Sequence, residues 1–503
     1  MYVKKKKNRS GSTSIVIVDK SSGKYNELIT IGTSKIPLEI EKYYKIGKQW
    51  IKDRSGLLEL DFNDYRKQTE QFIQQINQLL INGTELLLTK IYNEIGFSDI
   101  TDDIFRHLVL SRLSFPGSKR ATVEYLKDYY GFEVDINKVY RYLDEIYNKY
   151  TSDIQRISVN HTKNILGGVI GVVFYDVTTL YFTSDNEDDF RKNGFSKDGK
   201  HQNPQIVLGL LVSKDGYPLS YQMFEGNKFE GHTMMPVISD FEKEYDIKKA
   251  VVVADAGLMS KQNIEDLERY NYQYIIGAKI KAESEKIKAW VLSQNINDGE
   301  FVELKRENGK RLIVGYSDKR ARKDYQNRKK GLLRLEKLYK TGKLTKASIN
   351  KRGYNKYLKI DGSVQVQINH ELFNQDSKWD GLKGYLTNTK LSPKEVYSNY
   401  SNLWKIENAF RITKSKIEIR PMFHFTLKRI EAHICICFVA YKVYKELERQ
   451  LTEMKSDLSP DAAISIAKTI CTIKVKVPNS IEYIEQVLLL TEKQRKLAKL
   501  FNL

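Results

Sequence analysis

Three acidic residues far apart in the chain, Asp176, Asp255 and Glu407, are the side chains whose type and setting point to chemistry. Asp176 follows the apolar run VIGVVFY and Asp255 follows VVVA, so each is expected at the C-terminal edge of a strand, where open α/β sheets gather their sites. Glu407 falls within YSNYSNLWKIENAFRITKSKIEIR, residues 397–420, which reads as one helix. At about 100° per residue, Tyr400, Leu403, Glu407, Arg411 and Lys414 come within about 80° of one another on a single face. Leu403, Ile406 and Phe410 lie on or beside that stripe, so the face should pack inward, where a carboxylate is costly unless paired or bound to a cation. Taken singly, each Asp is more commonly explained by a turn cap and Glu407 by a satisfied core acid. Together, three hard oxygen donors without a His/Cys set favour Mg²⁺ or Mn²⁺ over zinc. Two such ions roughly 3.5–4 Å apart can activate a water or a 3′-hydroxyl and stabilise the leaving oxygen of an in-line phosphoryl transfer.

The charge balance points to a polyanion. Of 503 residues, 83 are Lys or Arg and 63 Asp or Glu, a net charge of +20. Residues 303–358 hold 19 basic and 5 acidic residues, an excess of 14, interleaved with Tyr316, Tyr325, Tyr339, Tyr354 and Tyr357. Such a density suits phosphate contacts with counterion release, with Arg320, Arg322, Lys323, Arg328, Lys329 and Lys330 as candidate DNA contacts. Three cysteines make a disulfide framework implausible, no apolar run is long enough to cross a bilayer, and the basic N-terminus lacks the long apolar core of a secretory signal. A cytoplasmic, nucleoid-associated protein is the expectation.

The elements that must position these residues follow in chain order. Residues 1–80 read as a hairpin (14–19 and 25–31) followed by helices, with Trp50, Ile51, Leu57, Leu58, Phe72, Ile73 and Ile76 as expected core. Residues 81–160 read as a helical domain, with a possible helix-turn-helix whose last helix, N-capped by Asp135, presents Asn137, Lys138, Arg141 and Tyr142. A helical packing domain accounts for the pattern equally well. Residues 160–168 are expected to be a linker. Strands at 169–175, 206–212 and 219–224 form a meander, followed by helix 234–245, strand 250–254, helix 260–270 and strand 274–278. The expected class is therefore α/β, a mixed sheet with helices on its faces, occupying 165–281 and 379–428. Residues 282–378 read as a strand-rich basic α+β insertion, and 429–503 as helical with turns near Ser456 and Pro478.

The blocks FYDVTTLYF, VVVADAGLMS and YSNLWKIENAFRITKSKIEIRPMFH, in that order, resemble the catalytic blocks of bacterial insertion-sequence DDE transposases. More narrowly they resemble the IS-four superfamily, whose strand-rich insertion precedes the Glu. The resemblance spans roughly 168–440. It implies an RNase H-like catalytic domain, Asp176, Asp255 and Glu407 as catalytic and metal-holding residues, and two Mg²⁺ (or Mn²⁺) ions. It also implies cleavage at terminal inverted repeats, joining of the 3′-hydroxyl to target DNA, and a homodimer on paired ends. The family pattern Tyr-x2-Arg-x3-Glu-x6-Lys is met by Tyr400, Glu407 and Lys414, while Leu403 stands at the Arg position; Arg411 is the candidate replacement cation. Trp404 could stack on a distorted terminal base or be a core residue.

Other motifs are weaker. Cys435 and Cys437 with His433 lie inside an apolar helical run and read as core; His201 and His232 read as surface residues, and no Walker-type loop implies a nucleotide cofactor. Two rivals stand beside a transposase: a non-catalytic, domesticated DNA-binding protein, and an RNase H-like nuclease that hydrolyses without strand transfer.

Overall fold

The computed structural model describes residues 1–55, 65–184, 186–196, 198–245, 250–258, 260–341, 353–361, 365–477 and 480–503. Two compact units account for them: Met1–Asn77 with Val475–Tyr483, and Gln78–Lys474 with Ile484–Leu503.

In the smaller unit, strands Tyr2–Lys7, Thr13–Asp19 and Asn26–Ser34 form an antiparallel sheet, with helices Pro37–Ser55 and Tyr65–Gln74 following. The expected hairpin is thus three-stranded. The lysine-rich N-terminus is its extra edge strand, and Lys6 pairs with Glu27 at 2.7 Å. Lysines suit an edge because they discourage pairing with a further chain. Ile15, Val16, Ile17 and Val18 are buried, whereas Phe72 and Ile73, expected in the core, are exposed; Leu57 and Leu58 lie outside the described residues, as does Pro478.

The larger unit is built on an eight-stranded sheet. Its strands are β1 (Val172–Tyr181), β2 (Gln205–Ser213), β3 (Pro218–Glu225), β4 (Val251–Ala254), β5 (Gln273–Ala278), β6 (Phe301–Lys305), β7 (Arg311–Tyr316) and β8 (Leu382–Thr387). They are ordered β6-β7-β8-β5-β4-β1-β2-β3. β1–β3 are the expected antiparallel meander, and β4 and β5 lie parallel to β1, connected by helices α1 (Met234–Tyr245) and α2 (Lys261–Arg269). A central strand with two antiparallel neighbours in succession on one side and two parallel ones on the other is the RNase H-like arrangement. The mixed α/β class is therefore as expected.

The insertion is less separate than expected. β6 and β7 form a hairpin, and β7 pairs antiparallel with β8, which pairs with β5, so residues 301–316 extend the eight-stranded sheet itself. Among the described residues, helix Glu285–Ser293 and, around a small core of Leu335, Tyr357 and Leu358, helix α3 (Asp318–Lys340), the ribbon Leu358–Asp361/Gln365–Ile368 and helix His370–Ser377 stand outside it. Gly381 returns the chain to β8 with φ +82; an added Cβ there would meet Ala321 at 2.9 Å, so only glycine fits.

One face of the sheet carries Val173, Tyr175, Val252, Ala254, Tyr274 and Ile276, packed with Val237, Phe241 and Leu267 of α1 and α2. The other carries Phe174, Val253 and Ile275, in one core with helices α4 (Pro393–Ser401), α5 (Trp404–Ser415) and α6 (Leu427–Glu453). The helices within 83–165 pack around α6, whose Cys435 and Cys437 are buried as expected. The chain stays helical through Ile165, because Val159 and Thr162 are buried, so the expected linker shrinks to a short turn. Strands Cys471–Lys476 and Tyr483–Leu488 interrupt the C-terminal region expected to be helical. Among the described residues no helix is long and apolar enough to cross a membrane.

Burial also sets an acid limit on stability. His107 and His161 are held near pKa 4, and His424 near 3, first by desolvation. Their unfolded value lies near 6.5, so the unfolded chain binds more protons below that pH, and stability should be full above about 6.5 and fall towards pH 4. Each fully uncompensated histidine contributes up to about 1.4 kcal/mol per pH unit. Urea midpoints measured from pH 7 to pH 4 should therefore drop steadily, and replacing His107 with Gln should flatten that slope.

Candidate active site

Strand register brings Asp176 and Asp255 to adjacent strands. The parallel ladder between β1 and β4 ends at Tyr175↔Ala254, so the two aspartates are the next residues on adjacent strands. Each lies two positions beyond a residue of the α5 face, Phe174 and Val253, and shares that face. β1 does not stop at Asp176 as expected. It runs on to Tyr181 against β2 while β4 ends, so Asp176 sits where the two strands part. The Asp176 carboxylate is half-buried, its Oδ1 accepting from the Val177 N–H at 2.8 Å.

The expected single helix over 397–420 is two. α4 begins on a capping box, Ser392 with Glu395 and Pro393 at its first position, as expected from the sequence. It ends at Asn402, where the Asn402 and Leu403 N–H groups donate to the Asn399 and Tyr400 carbonyls in tighter i→i−3 bonds before α5 starts. The break splits the stripe. Tyr400, Leu403 and Glu407 line a cleft of about 680 Å³ together with Asp255, Arg320, Lys323 and Lys383. Arg411 instead donates to Asn408 Oδ1 at 2.6 Å, and Lys414 reaches Asp198 at 3.2 Å, an acid it shares with Arg420. Arg411, the candidate replacement for the cation at the Leu403 position, does not line this cleft.

Tyr400 is buried, and its hydroxyl donates to Asp255 Oδ1 at 2.9 Å, making it a partner of the acid rather than an open surface for DNA. Burial and Asp255 push its pKa up, so it remains a donor. The close approach depends on Gly277 of β5, where a Cβ would stand 2.4 Å from the Tyr400 oxygen. Trp404 is 55% exposed on the cleft wall and is not a core residue.

Lys383 on β8 escaped sequence reasoning. Its ammonium lies 4.4 Å from the Tyr400 ring centroid, within the fields of Asp255 and Glu407. Desolvation lowers its pKa, Arg320 adds to that, and the two acids oppose it. The only clue in the sequence was the alternation of LKGYLT, which puts Lys383 and Tyr385 on one face.

The other candidate contacts divide. On α3, Arg322, Lys323, Lys329 and Lys330 are exposed, and Arg320 lines the cleft 3.6 Å from Asp324. Arg328 is buried, ion-paired with Asp380 and stacked on Phe373 at 5.2 Å, so it holds the fold. On helix Ile136–Glu145, capped by Asp135 as expected, Lys138 and Arg141 are exposed but Tyr142 is buried. His201 and His232 are exposed, as the sequence suggested.

Among the described residues, no three His, Cys, Asp or Glu side chains stand close enough to enclose a cation. Exposed Asp255 and Glu407 share one cleft; Asp176, on the neighbouring strand and the same face, is not part of its lining, so the three carboxylates suit a hard divalent ion by donor type while their side chains are not gathered around one point.

No curated protein matches this chain. Among solved structures it is similar to a piggyBac transposase synaptic complex with hairpin DNA, at 9% identity and TM-score 0.38 over 77% of this chain and 78% of that one. A Mos1 transposase paired-end complex with left transposon end matches at 9% identity and TM-score 0.16 over 34% of this chain and 58% of that one. The family model described as Transposase DDE domain matches residues 167–442, more than half of the chain and the whole span from β1 into α6. The chain belongs to the transposase DDE domain family.

Proposed function

We propose that this chain is the transposase of an insertion sequence of the IS-four kind, which binds inverted-repeat ends, cleaves them and joins the 3′-hydroxyls to target DNA. The observation that carries the reading is the shared cleft: Asp255 and Glu407 face it, Tyr400 fixes Asp255, and Arg320, Lys323 and Lys383 supply positive charge around them. Asp176, Asp255 and Glu407 would hold Mg²⁺ or Mn²⁺, which supplies Lewis-acid stabilisation of the phosphodiester oxygens. The protein's own groups do the rest. Tyr400 orients the Asp255 carboxylate, Lys383 offsets like charge between the acids, and exposed Trp404 offers a stacking surface to a base at the cleft mouth. Two ends held together call for two copies, so the working unit is a homodimer on double-stranded DNA.

The test takes the DNA on either side of this reading frame, whose matching inverted repeats are the expected ends, and incubates a fragment carrying them with the protein and Mg²⁺. The expected products are 3′-hydroxyl ends, and covalent linkage of a pre-cleaved end to a plasmid. Cleavage without linkage would leave a nuclease, and binding without cleavage a domesticated DNA binder.

The exposed cations of α3 give a separable prediction. Replacing Arg322, Lys329 and Lys330 with Ala should weaken DNA binding across all sequences and reduce the slope of log affinity against log salt by about 3, roughly one per lost phosphate contact. Filter binding from 50 to 200 mM salt measures both.

A further inference from the structure

A second cavity, of about 560 Å³, opens between the corner that joins helices Asp103–Ser114 and Lys119–Tyr125 and the segment 418–433 that leads into α6. Its inner wall carries two buried cations, Arg112 at 4% exposure and Lys119 at 3%. Among the described residues no carboxylate is in ion-pair reach of either. The Arg112 guanidinium donates to the Gly117 carbonyl at 2.5 Å, and Lys119 Nζ lies 3.3 Å from His433 Nδ1. His433 Nε2 is 3.3 Å from the Ile419 carbonyl, so the ring hydrogen belongs there and Nδ1 is left to accept from Lys119. The rim cations are already matched: Arg420 pairs with Asp198, and Arg429 makes a two-pronged pair with Asp144 at 3.0 Å.

Two buried basic groups with no ion-pair partner in contact are expensive to keep charged, and burial lowers the pKa of both, that of Lys119 well below the usual lysine value, while the charge of Glu418 on the cavity wall opposes the shift at Arg112. The surroundings relieve this only in part, since His424 and His433 are held neutral by burial and by Lys119 and Arg112. Glu418 on the cavity wall pairs in contact with neither Arg112 nor Lys119, which leaves their donors open to a compact anion. At its mouth Phe423 is 58% exposed, a flat apolar face beside a cationic interior. Cations that take a phosphate next to a ring that takes a base are the pairing used to hold a nucleic-acid strand.

We propose that this cavity is a phosphate-binding pocket that receives one phosphate group of a DNA strand, held by Arg112 and Lys119 with the adjacent base against Phe423. The site is distinct from the carboxylate cleft, and the identity of its ligand as DNA rests on the transposase reading. Asp198 links the two regions by pairing with both Lys414 of α5 and Arg420 at the cavity rim.

The test is calorimetric titration of the full-length chain with inorganic phosphate, a deoxynucleoside 5′-monophosphate, and a single-stranded and a duplex oligonucleotide. Lys119→Met should weaken phosphate binding at least tenfold and lower strand affinity, while leaving the unfolding midpoint unchanged or raised, because an unpaired buried charge has gone. Should Lys119→Met fail to fold, Phe423→Glu at the exposed rim serves instead and should weaken the same binding at least tenfold. Unaltered phosphate and strand affinity in a folded variant overturns the pocket. A mononucleotide binding as tightly as the strand overturns DNA as its occupant. Asp255→Asn should leave phosphate binding intact; if that variant still cleaves ends, the catalytic reading falls while the pocket stands.

Discussion

Glu407→Gln and Asp255→Asn should each lower end cleavage by about 10³-fold or more and leave end binding within a few-fold. A carboxamide keeps the volume and one acceptor oxygen but loses the charge that holds a hard cation, and several kcal/mol of transition-state stabilisation goes with it. The local structure should survive. Glu407 is exposed on α5, and in Asp255→Asn the Tyr400 hydroxyl still finds an oxygen at the Oδ1 position. Single-turnover cleavage beside a gel-shift titration separates chemistry from binding. Wild-type cleavage by either variant removes the residue from the site.

Lys383→Gln should reduce cleavage by about 10²-fold, the order lost with one preorganised charged donor at a reacting centre. Lys383→Arg should recover part of it, because the charge is kept though its shape and reach change. The sign of the pH dependence follows from the burial of the ammonium. Its pKa lies below 10.5, so raising pH strips the proton earlier than from an exposed lysine, and wild-type cleavage should fall on the alkaline side below that value. In Lys383→Arg that limb should vanish, since a guanidinium keeps its proton throughout. A pH–rate profile unchanged by both substitutions would exclude Lys383 from the cleft chemistry.

Much of the catalytic sheet is legible in the sequence because β1–β5 are short apolar runs bounded by turns. The two aspartates stand out because a charge directly after such a run is rare. The length of β1 was not legible: VTTLYF is as strand-like as VVFY, and only pairing with β2 carries it past Asp176. The hairpin 301–316 was recognised as strands but assigned to a separate module, since strand propensity is local and the partner strand β8 lies some 70 residues further on. The break before α5 was hidden because no Pro or Gly marks it; side-chain periodicity continues through Asn402 while the hydrogen-bond pattern does not. Lys383 was invisible for a simpler reason: a lysine in a strand looks like a solvent-facing residue until Tyr400 and the two acids are packed around it.

The extension of the sheet gives α3 a fixed root. β7 ends at Tyr316, the Ser317 N–H donates to the Gly381 carbonyl at 3.1 Å, and the helix departs at once for 23 residues. At 1.5 Å per residue it is a rod about 34 Å long, close to one turn of B-form duplex. On the transposase reading a rod of this length, rooted firmly in the sheet, spans one turn of bound duplex, so deleting one helical turn should displace the outer boundary of the nuclease footprint without moving the nick.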